Sequence, residues 1–298
     1  MAPLSDDGPR VLVTGATGFT GAYLTAALRE RGYAVATPPA SFDLVDAEAV
    51  HALLARLRPE FILHLAAISF VPHAQPAALY AVNAVGTVNL LEAAERSGAP
   101  LRKILLASSA NVYGNAGVER IDESVPPAPV NHYACSKLAM EHMARTWFNR
   151  LPIILVRPFN YIGPGQSEKF LIPKIVDHYA RRAARISLGN TDVARDFSDV
   201  RMVVEAYCRL LESPFRSGTL NICSGVARSL DEILRTLERI SGHAVEVEVD
   251  PTLVRANEVK RLTGSPDRLI ETVGALPFLD FENTLRWMLQ NRLQELSR

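Results

Sequence analysis

The stretch Arg10-Val-Leu-Val-Thr-Gly-Ala-Thr-Gly-Phe-Thr-Gly21 constrains this chain more than any other. An apolar, strand-type run (Val11, Leu12, Val13) enters a turn carrying Gly15, Gly18 and Gly21. A helical pattern with Leu24, Ala27 and Leu28 on one face follows at once. A strand that turns tightly into a helix N-terminus gathers free backbone N–H groups and the positive end of the helix dipole, which favours an anion. Glycine is needed where the backbone takes unusual dihedrals or lets a pyrophosphate approach closely. The turn therefore reads as a dinucleotide-binding fingerprint, flanked by the strand and the helix that this fingerprint requires.

The following segments keep the rhythm such a turn begins. Strand patterns over 33–37, 61–65, 103–108 and 152–157 alternate with helical patterns, one carrying Val50, Leu53, Leu54 and Leu57 and broken by Pro59, the others over 75–97 and 132–150, and 109–131 reads as a loop. This alternation predicts an α/β chain: a Rossmann-type doubly wound parallel sheet with its ligand site at the carboxyl ends of the strands. Beyond Arg157 the rhythm changes. A loop over 158–166 precedes helices over 170–185, 199–212, 230–240 and 281–296, with strands over 219–223 and 245–249. The expected division is a nucleotide-binding domain over 1–160, to which 191–224 returns, and a smaller mixed α/β C-terminal substrate lobe over 161–190 and 225–298. About 20 residues after a glycine turn, an acid selects NAD and an arginine accepts the NADP phosphate; Thr37 is neither, so the choice between NAD(H) and NADP(H) is not written there.

Composition sets the bounds. With 48% hydrophobic residues among 298, the chain can bury a large core, and a formal net charge of +0 gives no footprint for nucleic acid or anionic membrane. Three cysteines with no C-x-x-C pair point to a reducing compartment, and no metal ligands stand out. No apolar run reaches bilayer-spanning length, and 1–9 lacks the apolar core of a signal peptide. A soluble cytoplasmic protein is the expectation.

Tyr133-Ala-Cys-Ser-Lys137 opens a helix, which puts Tyr133 and Lys137 on one face a turn apart. A phenol that trades protons near neutrality needs its anion stabilised by about three pKa units, roughly 4 kcal/mol. A lysine ammonium and an oxidised nicotinamide ring supply charge of the right sign. Ser109, at the carboxyl end of the preceding strand, points into the same cleft and can hydrogen-bond a substrate oxygen.

Taken together, Thr14-Gly-Ala-Thr-Gly-Phe-Thr-Gly21, Asp43-Leu44, His64-Leu-Ala-Ala67, Asn83, Ser109-Ala-Asn-Val-Tyr-Gly114, Tyr133-Ala-Cys-Ser-Lys137 and Arg157-Pro-Phe-Asn160 resemble the extended short-chain dehydrogenase/reductases that act on nucleotide sugars. The resemblance implies that Gly15, Thr17, Gly18 and Phe19 meet the cofactor pyrophosphate and that Asp43 and Leu44 meet the adenine. Leu65, Ala66, Ala67 and Asn83 would lie on the ribose and nicotinamide side. Tyr133 would be the acid/base, Lys137 its partner and a ribose ligand, and Ser109 the substrate donor. Phe159 to Gln166, Gly189-Asn190, Arg195 to Val200 and Arg255 to Val259 look most like the branch acting on GDP-mannose and GDP-4-keto-6-deoxy-mannose. By that likeness Asn160, Lys174 and Arg195 would hold the diphosphate, Arg255 and Glu258 the nucleoside ribose, with GDP the favoured nucleotide and a homodimer the expected assembly.

Departures from the pattern narrow the chemistry. The dehydratases of this branch carry an acid two positions after the active-site hydroxyl, where this chain has Asn111, and an amide does not shuttle protons near neutral pH. Glu123 and Glu168 are the carboxylates that could fold in to replace it. Tyr161 stands where a histidine is usual, and Ala275 where a tryptophan is. The expectation is reduction of the C4 ketone of a GDP-4-keto-6-deoxy-hexose. The alternatives are a 4-epimerase with tightly held NAD, a GDP-mannose 4,6-dehydratase and a non-enzymatic dinucleotide sensor.

Overall fold

Alternate side chains of the first strand enter two separate cores, and the rest of the molecule is arranged on either side of that division. The computed structural model describes residues 8–39, 41–69, 75–254, 259–277 and 279–298. The chain opens with β1 (Arg10–Thr14), α1 (Phe19–Glu30), β2 (Ala34–Ala36), α2 (Ala47–Leu57) and β3 (Phe61–His64). A helix in three parts follows: α3 (Pro76–Tyr80), a π-helical turn (Ala81–Val85) and α4 (Gly86–Arg96). Next come β4 (Lys103–Ala107), a 3-10 turn (Ala110–Tyr113), α5 (His132–Arg145), β5 (Ile153–Pro158) and β6 (Asn160–Ile162). The remainder is α6 (Leu171–Ala180), β7 (Arg185–Leu188), β8 (Ala194–Asp199), α7 (Val200–Glu212), β9 (Gly218–Ile222), β10 (Ala227–Ser229), α8 (Leu230–Ser241), β11 (Glu246–Val249), β12 (Arg261–Leu262), α9 (Asp267–Val273) and α10 (Phe281–Leu296).

Six strands form one parallel sheet in the order β2-β1-β3-β4-β5-β9. Val11 and Val13 pack with Leu24 and Leu28 of α1 and Val203 and Tyr207 of α7, while Leu12 packs with Leu54, Leu90 and Met140 of α2, α4 and α5. Burial on both faces explains why these strands read as continuous apolar runs. The connections run one way from β1 to β2 and the other way through β3, β4 and β5. Such a reversal opens a crevice outside the carboxyl ends of the strands. The second lobe is built on β8, which pairs with β10, β12 and β6, beside a β7–β11 ribbon. Its core contains Ile175, Leu188, Leu237 and Leu285.

Several sequence expectations need correction. Residues 160–162, expected in a loop, form β6 because their backbone pairs with β8. The helix expected to reach residue 150 ends at Arg145, and tight turns (Phe148 N to Arg145 O, Arg150 N to Trp147 O) bring the chain to Pro152. The helix expected to reach residue 185 ends at Ala180, just before Arg182 turns left-handed at φ 52°. The helix Pro76–Arg96 has the length and mean hydropathy (1.2) of a bilayer span, contrary to the expectation of none, yet 56% of that window is buried inside the protein.

Candidate active site

The glycine turn divides its labour. A Cβ on Gly15, whose φ is +71°, would sit 2.7 Å from the Ala66 nitrogen, and one on Gly21 would meet Gly15 O at 2.2 Å. These two glycines allow close packing of the turn on its neighbours. Gly18 is the N-cap of α1 with no side-chain cap, no acid follows in the first turn, and Thr17 and Gly18 are exposed. An uncapped, glycine-surfaced helix start without a carboxylate fits a dinucleotide pyrophosphate, and Gly15, Thr17, Gly18 and Phe19 are the residues that would hold it. Across the crevice, Leu65 N donates to Thr14 O at 3.2 Å and Ala66 N to Thr14 Oγ1 at 3.3 Å, which fixes the 65–67 segment beside the turn. Asp43 accepts from Val45 N at 2.8 Å. Leu44 is buried, and Asn89 donates to its carbonyl at 3.0 Å, so its side chain serves the core.

His64 and Asn83 brace this wall from behind. Thr87 Oγ1 donates to Asn83 O at 2.8 Å, so His64 Nε2, 3.0 Å from the same hydroxyl, is the protonated ring nitrogen. His64 Nδ1 then accepts from Thr14 Oγ1 at 2.7 Å, and Thr14 in turn accepts from Ala66 N. Burial first, and Lys137 second, push the imidazole pKa down to about 3, so His64 is neutral. Asn83, in the π-helical turn, accepts from Ile68 N at 2.9 Å and donates to Ile68 O at 3.1 Å and Ser136 Oγ at 3.0 Å. Both of its amide protons are used within the protein, and through Ser136, which donates to Tyr133 O at 2.8 Å, Asn83 anchors the start of α5.

Ser109, Tyr133 and Lys137 come together at the carboxyl end of β4. Asn131 caps α5 through Ala134 N at 2.9 Å, which sets Tyr133 in the first turn and Lys137 one turn later. Ser109 Oγ accepts from Asn111 N at 3.2 Å and is near enough to Tyr133 to act on its phenol. Burial pushes the Tyr133 phenol up to about 12, against the lowering influence of the Ser109 hydroxyl, and nearby Tyr161 adds to the rise. Lys137 Nζ donates to Ala107 O at 2.8 Å, and burial lowers the ammonium pKa to about 8 against the attraction of Glu141. The side chains by themselves therefore make Tyr133 a proton donor.

The second lobe supplies the facing wall. Asn160 on β6 has a buried Nδ2 with no hydrogen-bond partner, and Gln166, which donates to Tyr161 O at 3.2 Å, has a buried Oε1 in the same condition. Lys174 donates to Ser187 O at 2.6 Å and lies in the field of Asp250. Arg195 on β8 donates to Ala194 O at 3.0 Å and Lys260 O at 3.1 Å. Arg255 and Glu258 lie outside the described residues. Tyr161 is stacked on Phe19, with ring centroids 6.0 Å apart, and its hydroxyl is 2.7 Å from Thr20 Oγ1. The residue that departs from the usual histidine thus ties the substrate lobe to the cofactor helix. Neither suspected carboxylate is idle: Glu123 accepts from Asn221 N at 2.7 Å, and Glu168 pairs with Arg292 at 2.5 Å.

The family model described as "NAD dependent epimerase/dehydratase family" matches residues 11–223. This chain belongs to that family. GDP-6-deoxy-D-talose 4-dehydrogenase of Aggregatibacter actinomycetemcomitans is 37% identical over 292 residues, covering 97% of this chain and 99% of its own. GDP-6-deoxy-D-mannose reductase of Pseudomonas aeruginosa is 35% identical over 295 residues, covering 95% and 96%. The solved structure of RMD from Pseudomonas aeruginosa complexed with NADPH superposes with a TM-score of 0.86 at 34% identity, covering 97% and 98%. The protein is an NAD(P)-dependent enzyme of the epimerase/dehydratase family, with a Rossmann-type parallel sheet.

Sequence reasoning missed three buried charged groups of this site: Glu141, Arg157 as its ion-pair partner, and Asp196. Asp196 accepts from Ser224 N, Ser224 Oγ, Gly225 N and Gly264 N at 2.6–3.2 Å and fastens β8 to the loops beside it. The only sequence signal for Glu141 was its place one turn after Lys137 on the same helix face.

Proposed function

We propose that the protein reduces the C4 ketone of a GDP-4-keto-6-deoxy-hexose with NADPH or NADH. The observation that carries this reading is the Ser109–Tyr133 hydroxyl pair beside buried Lys137, with an amide at Asn111 where dehydration needs a titrating acid. The names of two relatives that cover almost the whole chain support the choice of substrate.

When bound, reduced nicotinamide supplies the hydride that becomes the new C4–H bond. The chain's own residues govern the oxygen. Ser109 Oγ accepts from Asn111 N, so its proton is available to the C4 oxygen, while Tyr133 Oη transfers its proton to that oxygen and completes the alcohol. The raised phenol pKa keeps Tyr133 protonated at neutral pH, the state in which reduction starts. Lys137, fixed by Ala107 O, stands one turn after Tyr133 on α5. Asn160 Nδ2 calls for an acceptor, such as a phosphate oxygen, and Gln166 Oε1 for a donor, such as a sugar hydroxyl.

The test is incubation with GDP-4-keto-6-deoxy-mannose and NADPH or NADH. Loss of reduced cofactor is expected, and NMR of the product reports whether C4 has the manno or the talo configuration. Little product is expected from GDP-mannose and NADP, and efficient dehydration of GDP-mannose would overturn the reading. We further propose that two copies pair through the helix Pro76–Arg96 and α5, where Val85 is 44% exposed. Light scattering that gives a monomer at micromolar concentration would refute it.

A further inference from the structure

Behind the three reacting residues lies an ion pair shut off from solvent. Glu141 is 0% exposed and Arg157 1%. Arg157 grips the carboxylate with both edges of its fork, Nε to Oε1 at 2.8 Å and Nη2 to Oε2 at 2.6 Å. Ser108, the residue before Ser109, donates to Glu141 Oε1 at 2.6 Å. On the other side the Arg157 guanidinium lies 4.7 Å from the centre of the Tyr113 ring, whose hydroxyl donates to Asn221 Oδ1 at 2.8 Å. A buried pair of this kind adds little net stability, because desolvation consumes most of the attraction. Its value lies in the geometry it imposes. Here one carboxylate reaches the end of β4, the end of β9 is reached through Tyr113, and the whole stands one helical turn from Lys137.

We propose that Glu141 and Arg157 form a positioning pair for the reaction: they fix the Ser108–Ser109 end of β4 against the Tyr133–Lys137 face of α5, and Glu141 supplies the negative charge that faces Lys137. This rests on the reading of Ser109, Tyr133 and Lys137 given above. The charged and titratable groups around Lys137 are few. His64 on β3 is held neutral, Tyr133 lies on α5 itself, and Arg157 on β5 stands behind Glu141. Arg145, whose Nη2 is 3.4 Å from Glu141 Oε2, lies farther along α5 and is half exposed. Burial alone drives the Lys137 proton off, and Glu141 is the group that opposes it. Arg157 in turn prevents Glu141 from being an unpaired buried charge.

The test reads Lys137 directly. The chain has five lysines, so isotope labelling of their side chains gives a short Nζ spectrum in which Lys137 is assigned from Lys137→Arg. Glu141→Gln alone strands the Arg157 charge, so it is combined with Arg157→Met, leaving an amide that still accepts from Ser108. In this double variant the Lys137 titration midpoint is expected to fall by about one pH unit, a tenfold weaker hold on the proton. Glu141→Asp keeps the charge but shortens the reach to Ser108. Its Lys137 midpoint is expected to stay near that of wild type, while kcat falls roughly tenfold and KM for NAD(P)H is unchanged. An unmoved Lys137 midpoint in the folded double variant, or undiminished kcat in Glu141→Asp, overturns the proposal, and Glu141→Asp decides alone if the double variant does not fold. If wild type reduces no keto-sugar yet the Lys137 midpoint moves as stated, the pair stands and the proposed function falls.

Discussion

The two walls of the crevice are finished to different degrees. On the sheet side, His64, Asn83, Glu141 and Arg157 are buried and have their hydrogen bonds met inside the protein. On the side of the second lobe, Asn160 Nδ2 and Gln166 Oε1 are buried without partners. A satisfied buried network holds its members in one arrangement. An unsatisfied buried group costs about 1–3 kcal/mol until a ligand supplies the missing partner. The fold thus completes the wall that does chemistry in advance and leaves the wall that recognises substrate to be completed by it.

The largest test falls on the finished wall. Tyr133→Phe keeps the ring and removes one proton, so turnover is expected to drop by two decades or more while NAD(P)H affinity, measured by fluorescence titration, is unchanged. A variant with over half the wild-type rate would remove Tyr133 from the reaction.

Acid should loosen that same wall next. The His64 pKa is lowered in the fold from 6.5 to about 3, so the unfolded chain binds the extra proton first as pH falls between those values. The stability tied to neutral His64 is complete above about pH 6.5 and is lost progressively below it, at roughly 1.4 kcal/mol per pH unit. Between pH 6 and pH 4, wild type is expected to lose roughly 2 kcal/mol more than His64→Asn in urea unfolding. Parallel losses would break the contrast between the walls.

The unfinished wall should answer in the opposite sense. Asn160→Leu removes an unpartnered donor, so the folded protein is expected to be as stable as wild type or slightly more so. KM for the nucleotide sugar is expected to rise about tenfold, with kcat nearly unchanged. A loss of stability without a change in KM would make Asn160 a structural residue. The smallest effect belongs to half-buried Lys174. Lys174→Met should leave unfolding within about 0.5 kcal/mol and weaken nucleotide binding a few-fold, most clearly at low salt.

What the sequence determined by itself is what local rules carry. The strand, glycine turn and helix of 10–30, the alternation through β5 and the Tyr133–Lys137 spacing follow from periods of two and 3.6 residues and from the special needs of glycine. The helix over 281–296 was legible residue for residue. The short strands β6, β8, β10 and β12 were not, because two to six residues with no strong alternation become strands only when a distant partner meets them. Asn83 gave no sign that its amide would be spent on Ile68 and Ser136, on the loop after β3 and on α5. Nor did Tyr133 and Lys137 show that burial would raise one pKa and lower the other while Lys137 turned to Ala107 O. Desolvation and long-range hydrogen bonding depend on what lies around a group in space, and only the tertiary structure decides that.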